Sequence, residues 1–206
     1  MQTSLVIDTV SPVPGVSIFR NDVEIVSWVC EDETEKMSEV FLNQMNYLLE
    51  NQRLSIYDLS RIICVVGPGS LTGVRVGVSI AKGLSFGLSH YGIRVEEIGV
   101  TLLSALAAVG FVASNESFVR SVVFFGNKAI FQDFQREDDG FREIGELQFG
   151  DYVNTSFAIV STKNVKEILY FIKSNFTRFV FTASKFARRE LRPFYYVSSS
   201  SLFRRY

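Results

Sequence analysis

The sequence has a single histidine, His90. That excludes a two-histidine metal site, and no Cys-x-x-Cys spacing exists to replace it. The two cysteines, Cys30 and Cys64, give no disulfide framework. Cys64 falls in an apolar run and reads as a small core residue. The longest uncharged stretch near the middle, Ile98 to Ser114, is shorter than the ~20 residues a membrane span needs and carries Thr101 and Ser104. It reads as a buried helix over Thr101–Val109. No basic region precedes the first apolar residues, and Asp8 interrupts them early, so no leader is expected and the expected location is cytoplasmic.

Acid is scarce at one end of the chain. Residues 161–206 hold ten Lys/Arg and only Glu167 and Glu190, whereas residues 1–160 hold eleven Lys/Arg and twenty Asp/Glu. A basic end of this kind faces an acidic partner, a nucleic acid or the chain's own acidic half. With 47% hydrophobic and 21% charged residues, the composition is that of a globular protein.

What the chain does have is a strand, a glycine loop and a helix in succession. Ile62-Ile63-Cys64-Val65-Val66 reads as a short buried strand that Gly67-Pro68-Gly69 ends. Ser70 or Thr72 can cap the helix that follows. Free N–H groups at such a helix start suit an anion, so Gly67, Gly69, Ser70, Thr72 and Gly73 are candidate anion-binding residues. Within the helix, Gly73, Gly77, Ala81 and Ser85 recur every fourth residue and form one nearly bare stripe. Each interior glycine costs about 1 kcal/mol relative to alanine, so another backbone is expected close to that stripe, inside the chain or on a partner.

Around this centre, Ser4–Asp8, Val16–Phe19 and Glu24–Val29 read as an antiparallel meander. A helix capped by Asp32, with Glu35 three residues on, carries Met37, Phe41, Met45 and Leu48 on one side. Gly92–Ile98 reads as a strand that extends the meander in parallel. Beyond residue 110, Phe118–Phe125 and Ala129–Gln135 form a hairpin about Gly126-Asn127, with weaker strands at Glu143–Leu147 and Phe157–Val160. Asn164–Lys173 and Ala183–Leu191 are expected helices about a strand at Phe179–Phe181.

The run from Gly67 to Gly77, with Ala81-Lys82-Gly83-Leu84 after it, resembles the glycine-loop motif of the TsaB family: Gly-Pro-Gly-Ser-Phe-Thr-Gly-hydrophobic-Arg-hydrophobic-Gly, then Ala-Lys-Gly-Leu. Leu71 stands where that motif has phenylalanine. Leu5-Val6-Ile7-Asp8-Thr9 is similar to the family's first strand. The resemblance implies an α/β fold of the actin-like ATPase and sugar-kinase (ribonuclease H-like) type. Its first lobe would be residues 1–109 and its reduced second lobe residues 110–206. It implies a scaffold with no catalytic residues, metal or cofactor of its own. Such a scaffold dimerises with the catalytic TsaD paralogue and works with the ATPase TsaE in threonylcarbamoyladenosine modification of tRNA. The expected interface comprises Met37, Phe41, Met45 and Leu48 of the first helix and Val74, Gly77, Val78 and Ala81 of the second. A homodimer through the same patch is compatible with this.

Three departures from relatives stand out. Met37-Ser38-Glu39 replaces the His-Ser-Glu often found there, and Val123-Phe124-Phe125-Gly126 replaces Asp-Ala-Arg. Gly99 to Ala105 lacks the His-x-x-x-His pair of TsaD. Two rival readings remain. A kinase or ATPase would use Asp8 and the Gly67–Gly73 loop, although Thr9-Val10-Ser11-Pro12 is poor in N–H donors. A tRNA-binding module would use Lys185, Arg188, Arg189, Arg192, Arg204 and Arg205.

Overall fold

The computed structural model describes residues 2–30, 37–151, 158–172 and 174–194. The chain opens with the expected meander, β1 (Thr3–Asp8), β2 (Gly15–Arg20) and β3 (Val23–Val29). Asn21 and Asp22 join β2 to β3 with φ of 46° and 67°, a left-handed pair whose twist matches that of the strands it joins. β4 (Arg61–Gly67) and β5 (Glu96–Thr101) add in parallel beside β1. β10 (Arg188–Arg189) closes the far edge antiparallel to β5. The six-stranded order is β10-β5-β4-β1-β2-β3, the actin-like, ribonuclease H-type arrangement.

Helices α1 (Met37–Asn51) and α2 (Leu71–His90) cover one face of this sheet. Phe41 of α1 meets Trp28 edge to face, and Gly77 of α2 lies over Ile7 and Cys64. The opposite face takes α5 (Phe176–Phe186), where Phe181 stacks on Phe19 with centroids 3.9 Å apart. Beside α5 runs α3 (Leu102–Ala113), buried from Leu102 to Phe111. Its other side meets a second, four-stranded sheet in the order β8-β7-β6-β9. Gly110 of α3 lets Val119 and Val160 of that sheet approach to 2.7 Å of where its Cβ would be. This sheet comprises β6 (Phe118–Phe125), β7 (Lys128–Glu137), β8 (Gly140–Asp151) and β9 (Ala158–Ser161), with α4 (Val165–Ile172) after it. The Gly126-Asn127 hairpin forms in the expected register, Phe125 opposite Lys128. No helix among the described residues is long and apolar enough to cross a membrane.

Three expectations need correction. The strand at Phe179–Phe181 is the middle of α5. Asn175 caps that helix by accepting from the Arg178 N–H, and Phe176, Phe179, Val180 and Ala183 then fall on one buried face at helical spacing. The helix ends at Phe186, so Ala183–Leu191 is not one helix but its last turn followed by β10. The strand after α2 begins at Glu96 rather than Gly92, because Gly92 at φ 76° turns the chain and Ile93 still bonds back to Leu88. After the second sheet, α5 and β10 return to complete the first one. The Asp32 and Glu35 caps lie outside the described residues.

Candidate functional site

The glycine loop is closed by the chain's own segments. Ser70 caps α2, its Oγ accepting from the Gly73 N–H at 3.1 Å. A Cβ on Gly69 would overlap Val10, one on Gly73 the Thr9 carbonyl, and one on Gly77 the Thr9 hydroxyl. Gly67 has φ +111°, and the Phe194 carbonyl oxygen lies 2.7 Å from where its Cβ would be. Phe194 also donates its N–H to the Val66 carbonyl at 2.7 Å. Thr72 stays exposed at the helix start. The expected close backbone neighbour of the stripe is therefore the β1–β2 turn of the same chain. It accounts for Gly69, Gly73 and Gly77 without a ligand.

Asp8, the carboxylate of the rival ATPase reading, is fully buried. Its Oδ1 accepts from the Val10 and Ser11 N–H groups at 2.9 and 3.0 Å, and its Oδ2 accepts from the Ser11 hydroxyl. Burial raises this carboxyl to about 6, with the three hydrogen bonds pulling the other way. Its donors all come from the turn that it braces. Burial, with the Asp8 charge adding to it, likewise pushes the Cys64 thiol up, so this sulfur behaves as core rather than nucleophile. Among the described residues, no three of His, Cys, Asp and Glu gather where they could hold a metal ion.

The expected interface residues turn out to be core. Phe41, Met45 and Leu48 pack beneath α1, and Val74, Gly77, Val78 and Ala81 beneath α2. The side chain of Met37 lies outside the described residues. The correction has a simple cause. Both helices lie on the sheet through the stripe that was assigned to a partner, so their opposite sides meet solvent. That outer side of α2 carries Gly83 and Gly87, and among the described residues no atom of another part of the chain lies within 4 Å of either added Cβ. Phe86 is 79% exposed there and Tyr91, just past the helix, 67%. On α1 the outward residues include Leu42 and Tyr47, 41% and 59% exposed.

Comparison with known proteins agrees with this architecture. A family model described as TsaD, tRNA N6-adenosine threonylcarbamoyltransferase, matches residues 29–122. The tRNA threonylcarbamoyladenosine biosynthesis protein TsaB of Bacillus subtilis (strain 168) is 33% identical over 108 residues, which is 52% of this chain and 44% of that protein. TsaB of Escherichia coli (strain K12) is 25% identical over 138 residues, 66% of this chain and 56% of that protein. Over these stretches the chain is similar to the TsaB family. The aligned stretches span about half the length of these curated relatives. The structure of YeaZ from Pseudomonas aeruginosa shares the fold, with a TM-score of 0.71 over 95% of this chain and 100% of that one at 15% identity.

The described part of the basic end folds back on the acidic half. Lys185 pairs with Asp22 at 3.0 Å and Arg178 with Glu24 at 3.4 Å. Arg188 pairs with Glu96, and Arg189 with Glu143 at 2.5 Å. Arg192 pairs locally with Glu190 at 3.2 Å. Arg204 and Arg205 lie outside the described residues. Asp22 sits between Lys185 and the buried Arg61, 2.7 Å away, and their hydrogen bonds hold its carboxyl below the ordinary value. Sequence reasoning did not find Thr9, Val10 and Phe194 as the groups that fill the loop. The four-residue glycine spacing announced a close neighbour but could not name it.

Proposed function

We propose that this protein is a TsaB-type subunit that serves threonylcarbamoyladenosine biosynthesis on tRNA without catalysis of its own, docking on the TsaD paralogue with TsaE as the ATPase of the same assembly. The observation that carries this reading is the solvent side of α2. The inner glycines of that helix are each matched by a close contact, whereas Gly83 and Gly87 have none among the described residues. Two such positions in a 20-residue helix forgo about 2 kcal/mol of helix propensity. A partner helix seated on this side, with Phe86 as its apolar anchor, would offset that loss. The use of Asp8 supports a scaffold rather than an ATPase, because a carboxylate bound to three donors of its own turn has little left to offer a nucleotide's metal ion.

The test is co-purification with the TsaD paralogue of the same organism. Phe86→Asp and Gly83→Leu should each abolish pairing while far-UV circular dichroism stays that of the unaltered chain. Pairing that survives both changes would refute the reading. Turnover of ATP by the purified chain alone would refute its non-catalytic part.

A further inference from the structure

We draw no further inference here: the strongest candidate, the exposed ring cluster of Tyr57, His90 and Tyr91 where the α1–β4 and α2–β5 connections meet, continues the docking side of α2 already proposed, and nothing else in the structure shows what covers it.

Discussion

The Thr9 hydroxyl donates to the Gly73 carbonyl at 2.6 Å, and the Thr9 carbonyl oxygen occupies the place where a Gly73 Cβ would go. One residue thus grips the first turn of α2 from two sides, and the helix can approach that closely only where it has no side chain.

Gly73→Ala and Gly77→Ala should therefore destabilise the isolated chain. The added methyl meets backbone at Gly73 and a hydrogen-bonded hydroxyl at Gly77, so the expected loss is about 2–3 kcal/mol each, as for overpacking elsewhere. Urea denaturation followed by circular dichroism measures it. A midpoint unchanged in both variants would contradict the packing described.

Gly83→Ala and Gly87→Ala should do the opposite. Neither added methyl meets another part of the chain among the described residues, so each change should stabilise the isolated protein by about 0.5–1 kcal/mol through helix propensity and a stiffer unfolded chain. The same denaturation curves report this, and destabilisation by both would mean that the outer side of α2 is not open.

Asp8 should make stability rise as pH falls. Its folded-state carboxyl titrates near 6, above the unfolded value of about 4, so the folded chain binds the proton more tightly across that window. Between pH 7 and pH 5 the chain should gain about 1 kcal/mol relative to Asp8→Asn, whose amide can still accept from Val10 and Ser11. Thermal melts of both proteins at pH 5, 6 and 7 supply the comparison. Parallel pH dependence in the two would remove the claim.

Arg120 and Asp133 face each other across β6 and β7 with two bonds of 2.5 and 2.6 Å, both largely buried. Arg120→Met leaves the Asp133 carboxylate in the sheet without that cation and should cost about 3 kcal/mol. The double change Arg120→Met, Asp133→Leu should recover most of it. A single variant as stable as the unaltered chain would show that the pair contributes little.

Most of the first sheet was legible because its strands are apolar runs bounded by strong turn residues. Pro12, Pro14 and Gly15 mark one boundary, Asn21-Asp22 a second and Gly67-Pro68-Gly69 a third. The Gly126-Asn127 hairpin was legible for the same reason. Phe179-Val180-Phe181 misled because aromatic and β-branched residues favour strands locally. The Asn175 cap and burial against Phe19 and Arg61 override that preference. The orientation of α2 was undetermined for a different reason. It carries small residues on two sides, Gly73, Gly77 and Ala81 on one and Ser79, Gly83 and Gly87 on the other. Periodicity shows that both stripes exist, but not which of them the sheet takes. The choice is made by Thr9, sixty-four positions from Gly73, and no local pattern carries that distance.

The return of Phe176–Arg189 to the first sheet governs the order in which this protein can mature. While the ribosome is still making the second sheet, the underside of β1, β2 and β4 lies bare and β5 has an open edge. Phe19 has no ring to stack on, and Arg61 and Asp22 wait for Lys185. The opening half therefore keeps an apolar face uncovered until Phe176–Arg189 has been made, and a chain stopped before that segment should be a sticky fragment rather than a smaller folded domain.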